Sequence, residues 1–134
     1  MNELELKKRR IYEDEIQHQI YIWFNNTYCL DFPKGNLNRC IIYAIPNGGS
    51  RNILEAKKFK NTGVLSGVYD LVVIIPNKVI FVELKAPDGR LSDNQKDFKK
   101  RVEQLGFMCT ECWSFEEFKV MIEEQLKMVG VTVK

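Results

Sequence analysis

Two runs of β-branched and aromatic residues, Leu71-Val72-Val73-Ile74-Ile75 and Val79-Ile80-Phe81-Val82-Glu83-Leu84-Lys85, stand on either side of the tripeptide Pro76-Asn77-Lys78. Strand-forming runs joined so closely have one local solution, an antiparallel hairpin. If the loop is Pro76-Asn77, Ile75 pairs with Lys78 and Asp70 falls opposite Glu83. Their Cβ atoms would then lie roughly 4.5–5.5 Å apart. A symmetric lengthening of the loop, or its shift to Asn77-Lys78, changes the direct partner but keeps both carboxylates on one face.

The remaining elements arrange themselves around this hairpin. Ile16, Ile20, Trp23 and Phe24, with Tyr12 a turn earlier, predict an amphipathic helix from about Leu4 to Phe24, ended by Asn25-Asn26. Cys40 to Ile45 is a short apolar run that fits a buried strand, closed by Pro46-Asn47-Gly48-Gly49. A second helix is expected from Ile53 to Lys60. Ser92-Asp93-Asn94-Gln95 reads as a capping box opening a helix with Phe98, Val102 and Leu105 on its inner stripe, stopped by Gly106. Phe107 to Trp113 is a further strand and Ser114 to Met128 a last helix, with Gly130 to Lys134 frayed. The order α, β, α, β, β, α, β, α within 134 residues implies a single α/β domain over the whole chain.

Composition narrows the class. With 45% hydrophobic and 28% charged residues the chain has the makeup of a soluble globular domain. Twenty Lys and Arg against 18 Asp and Glu leave a net charge of +2, so any anion-binding surface must come from local clustering. The charged start MNELELKKRR lacks the apolar core of a secretory signal, and no run is long enough to span a membrane, which predicts a cytoplasmic protein. Cys109 and Cys112 have zinc-knuckle spacing, but on a strand residues three apart point to opposite faces, so free thiols are expected with Cys29 and Cys40.

The chemistry concentrates on the hairpin. Glu83 and Lys85 are two apart on a strand and project from one face, a charged pair where an internal strand would ordinarily stay apolar. Facing carboxylates such as Asp70 and Glu83 repel unless a cation or a shared proton compensates. Oxygen ligation by two carboxylates, completed by water, suits Mg²⁺ or Mn²⁺ better than zinc. A lysine beside such a site can orient a water or stabilise charge developing on a phosphate, and the combination describes phosphodiester hydrolysis. Upstream, Asn47, Gly48 and Gly49 allow close backbone approach, Arg51 offers a bidentate phosphate grip, and Lys57, with Lys58 and Lys60, can neutralise a backbone. The same glycines also make a plain turn, and the lysines a solvated helix face.

These residues resemble the virus-type replication-repair nuclease (VRR-NUC) domain of the PD-(D/E)XK nuclease superfamily, from about Tyr12 to Phe118. The resemblance is carried by Ile45-Pro46-Asn47-Gly48-Gly49-Ser50-Arg51, Ala56-Lys57-Lys58, and Gly63-Val64-Leu65-Ser66-Gly67-Val68-Tyr69-Asp70-Leu71. It continues through Val82-Glu83-Leu84-Lys85-Ala86, Gly89-Arg90-Leu91-Ser92 with Gln95, and Leu105-Gly106-Phe107. It implies a restriction-endonuclease-like fold, a central four-stranded mixed sheet flanked by helices. It also implies that Asp70, Glu83 and the Leu84 carbonyl hold the metal and that Lys85 acts on water or phosphate. A first-helix glutamate joins them in this family; Glu15 matches best, with Glu13 and Asp14 beside it. The family pattern places a glutamine near the site at Gln95, which the capping box reads only as a helix cap. Tyr69 stands where the family usually has the proline of its Pro-Asp pair. Stand-alone members resemble phage-encoded enzymes that act as homodimers on branched DNA such as four-way junctions or flaps. A DNA-binding module of the same fold that does not cut is the rival reading.

Overall fold

The computed structural model describes residues 2–29, 40–46 and 60–134. Helix α1 (Glu3–Phe24) runs straight into a π-helical segment, Asn25–Cys29, and strand β1 (Ile41–Ala44) follows. The hairpin β2 (Leu71–Ile75) and β3 (Lys78–Leu84) leads to α2 (Asp93–Gln104), β4 (Met108–Cys112) and α3 (Phe115–Met128). The sheet order is β1-β2-β3-β4, with β1/β2 and β2/β3 antiparallel and β3/β4 parallel, the α2 crossover making the parallel pair possible. This is the mixed four-stranded α/β sheet that the sequence predicts.

The hairpin turn is Pro76-Asn77, with Asn77 at φ 59°, and Ile75 pairs with Lys78. Alternation along β2 and β3 then sends Leu71, Val73, Ile75, Ile80, Val82 and Leu84 to one face. That face packs on α1 and α3 through Ile16, Ile20, Phe24, Phe118, Ile122 and Leu126. The opposite face carries a smaller cluster of Tyr69, Val102 and Cys109 with Phe81, Leu91 and Phe98, covered by α2. Helices thus lie on both faces, and whatever side chains alternate away from the main core at the end of β3 emerge under α2.

Three expectations change, and a fourth falls outside the described residues. Asn25-Asn26 does not end the helical path: the Thr27 hydroxyl donates to the Trp23 carbonyl at 2.6 Å, and Tyr28 is buried with its ring 5.4 Å from that of Phe24. The apolar gain carries the backbone one further wide turn. Among the described residues β1 is an edge strand rather than a buried one, with only Ile42 enclosed and Ile41 and Tyr43 exposed. The C-terminal residues are not frayed, since Val131 and Val133 pack on the main core and the Lys134 N–H donates to the Tyr28 hydroxyl at 3.0 Å. The helix expected over Ile53–Lys60 lies, but for its last residue, outside the described residues.

Cys109 and Cys112 sit on opposite faces of β4, one in each core, and burial pushes their thiols up to about 11 and about 12. Both are free thiols. No helix among the described residues is long and apolar enough to cross a membrane.

Candidate active site

Asp70 precedes the first residue of β2, and one step beyond the Leu71–Val82 pair it meets Glu83 across the hairpin. The two are locked reciprocally: the Asp70 N–H donates to Glu83 Oε1 at 3.1 Å, and the Leu84 N–H donates to Asp70 Oδ2 at 3.0 Å. Each carboxylate therefore takes its backbone donor from the other's strand, so the pair is built into the sheet register itself.

Glu83 alternates away from Val82 and Leu84 and so emerges on the α2 face, where it is the one buried charged residue among those described. The first turn of α2 closes over it. Ser92 and Gln95 form a capping box, and the Gln95 side chain does more than cap: its Oε1 accepts from the Ser92 N–H and from Lys85 Nζ, both at 2.9 Å. Its Nε2 donates to Glu83 Oε2 at 2.8 Å. Lys85 Nζ lies 3.4 Å from the same Glu83 oxygen, with its side chain only 12% exposed. A largely enclosed ammonium, two carboxylates and an amide are thereby held within one network of polar contacts.

From the other face, α1 sends Glu13 to the same end of the sheet, where its carboxylate accepts the Ala86 N–H at 2.9 Å. Arg9, one turn earlier, pairs with Asp88 and ties α1 to the loop that follows β3. Glu15, the expected helix carboxylate, is instead exposed. The reason is helical phase. Stepping back three residues from Ile16, or seven from Ile20, lands on Glu13, so Glu13 continues the buried stripe and Glu15 does not.

Electrostatics follow from burial. Burial, then the neighbouring Asp70 charge, pushes the Glu83 carboxyl up to about 8, against which Lys85 works. Burial raises Asp70 as well, partly offset by the Leu84 N–H, while Asp14 adds negative charge nearby. Glu13 is raised by the same desolvation. Acids that hold protons this strongly form a site that gains from a nearby cation. Among the described residues no three His, Cys, Asp or Glu side chains form a complete cage for a metal. The carboxylates of Asp70 and Glu83 offer oxygen donors only, a chemistry that would suit an ion keeping much of its own water, as Mg²⁺ does.

A protein-family model, the VRR-NUC domain, matches residues 6–116. The chain belongs to the VRR-NUC domain family. It is therefore a member of a nuclease-domain family, and the match spans every site residue described above. A solved structure titled "VRR_NUC domain protein" is similar in fold, with a TM-score of 0.66 and 21% identity over 89% of this chain and 90% of that one. No curated protein matches.

Within this VRR-NUC domain the structure brings Asp70, Glu83, Lys85 and Gln95 together, and Leu84 lends its N–H to Asp70. Asn47, Gly48, Gly49, Arg51 and Lys57 lie outside the described residues. Gln95 caps α2 and also bonds Lys85 and Glu83, so the cap reading does not exclude the other. Trp23 belongs to the core, edge-on to Phe115 at 5.5 Å, and His18 is exposed beside a groove of about 510 Å³ between α1 and β1.

Proposed function

We propose that this single-domain chain is a metal-dependent DNA endonuclease that hydrolyses phosphodiester bonds with an activated water. The observation that carries the reading is the Asp70–Glu83 pair, its Glu83 buried, with the Lys85 ammonium 3.4 Å from Glu83, in a chain of a nuclease-domain family. Mg²⁺ or Mn²⁺ at Asp70 and Glu83, with the Leu84 carbonyl as a further oxygen donor, would supply Lewis acidity towards the phosphate.

The protein's own part rests on placement. Gln95 accepts from Lys85 and donates to Glu83, which fixes the ammonium beside the carboxylates rather than in solvent. An ammonium so held stabilises negative charge building on a phosphate oxygen, an effect enlarged where water is partly excluded. Glu13 holds the backbone just after Lys85 through Ala86, which limits how far the lysine's main chain can drift. Asn47, Gly48, Gly49, Arg51 and Lys57 are assigned to the DNA backbone. Branched DNA is the proposed substrate and a homodimer the proposed form, because one compact domain carries one site while a junction offers two related strands.

The test is incubation of the purified chain with labelled duplex, single-stranded, flap and four-way-junction DNA in Mg²⁺, Mn²⁺ or EDTA, beside Lys85→Ala. Cutting that needs metal and vanishes in the variant supports the reading, and the preferred substrate identifies the branch. Junction binding without cutting under any metal would replace it with a non-cleaving DNA-binding module.

A further inference from the structure

Glu111 lies on β4 directly beside Glu83, its partner in the parallel register, and so extends the Asp70–Glu83 row by a third carboxylate. Three acids side by side would repel, yet Glu111 is fully engaged. Lys99 Nζ lies 2.8 and 3.0 Å from its two oxygens, and the Tyr69 hydroxyl donates to Oε2 at 2.9 Å. Lys99 is one helical turn beyond Gln95, so α2 reaches down to the row at two points, Gln95 on Glu83 and Lys99 on Glu111. Tyr69 is buried, its ring 5.5 Å from Phe98 of the same helix, and the next peptide N–H is that of Asp70, which donates to Glu83.

The contacts close on themselves. Starting at α2, Lys99 holds Glu111, Glu111 holds Tyr69, the Tyr69–Asp70 peptide holds Glu83 Oε1, and Gln95 of α2 holds Glu83 Oε2. We propose that Lys99, Glu111 and Tyr69 are positioning residues that complete a ring of hydrogen bonds fixing the orientation of the Glu83 carboxylate. Each Glu83 oxygen takes one donor from a different arm of the ring. If the Tyr69 phenol is cut loose, the Asp70 peptide can tilt and one arm is lost; if Lys99 is lost, α2 is released at one of its two points and the other arm shifts. An ion pair that merely docked a helix would leave Glu83 indifferent to Tyr69.

The inference rests on reading Glu83 as the centre of the nuclease site, so the experiment carries one readout that does not need cutting. In the metal-free full chain, the side-chain amide protons of Gln95 report its bond to Glu83 by NMR shift and solvent exchange. Tyr69→Phe and Lys99→Met are expected to speed that exchange, and to lower kcat on DNA about tenfold with KM within about twofold, while Lys99→Arg restores both. If Tyr69→Phe and Lys99→Met lower thermal stability yet leave Gln95 exchange and kcat at wild-type values, the ring is only a docking contact and the proposal fails. If the wild type cuts no DNA, the nuclease reading fails by itself, and the Gln95 signal alone decides the ring: faster exchange in both variants upholds it and unchanged exchange overturns it.

Discussion

Lys85 is the residue on which the proposed chemistry turns, because its ammonium lies against the raised carboxyl of Glu83. Lys85→Met is expected to lower DNA cutting by at least about a hundredfold while the far-ultraviolet circular dichroism stays native, since the side chain serves the site rather than a core. The two helix acids separate by the same logic. Glu13→Gln weakens its tie to Ala86 and should slow cutting roughly tenfold, whereas Glu15→Gln, exposed, should act like wild type in the same assay. The glycines offer a third contrast. Gly67 has φ +89° and a Cβ there would stand 2.3 Å from the Asn94 carbonyl oxygen, at the first turn of α2; Gly63 has φ +96° but meets nothing within 4 Å. Gly63→Ala therefore carries only the backbone cost of about 1 kcal/mol, and Gly67→Ala should exceed it by about 2 kcal/mol or more in urea denaturation because backbone must also move.

At the level of elements, the hairpin was the most legible part, because either short loop between the β-branched runs keeps Asp70 and Glu83 on one face, while the direct pairing followed only once the turn proved to be Pro76-Asn77. α2 was legible from its capping box. The edge position of β1 was not, since its apolar residues suit an enclosed strand equally well and only the sheet order exposes Ile41 and Tyr43. That Glu13 rather than Glu15 faces the sheet was within reach of the sequence, since extending the Ile16–Ile20 stripe backwards lands on Glu13. The Lys99–Glu111 pair had no local signature, because it joins α2 to a strand that only the crossover brings beneath it. The hairpin also sets a pH dependence. In EDTA the folded state holds the Glu83 proton up to about 8 while an ordinary glutamate releases it near 4.5, so the native state binds more protons between those values. Stability must then fall as pH rises from about 4.5 to about 8. The urea midpoint should drop across this window, and Glu83→Gln should flatten the drop.

For the molecule as a whole, the main core draws on both chain ends: α1 supplies Ile16, Ile20 and Phe24, and the final residues return through Val131 and Val133 to cover it. Removing residues 130–134 is expected to destabilise the fold by about 1–3 kcal/mol, through lost apolar burial and the lost bond to Tyr28, read as a lower midpoint in thermal melting. Added Mg²⁺ should act in the opposite direction, raising the melting temperature of the wild type but not of Asp70→Asn, since a ligand that binds only the folded state stabilises it. Gln95 links these two kinds of measurement. The single oxygen of its amide closes the helix cap and also receives the lysine, so a mutation there is expected to injure both stability and the proposed activity. Second-site changes that strengthen α2 elsewhere would restore the fold of such a mutant and leave its activity lost. A laboratory selection for solubility and a selection for cutting would therefore retain different revertants, and only the original glutamine would survive both.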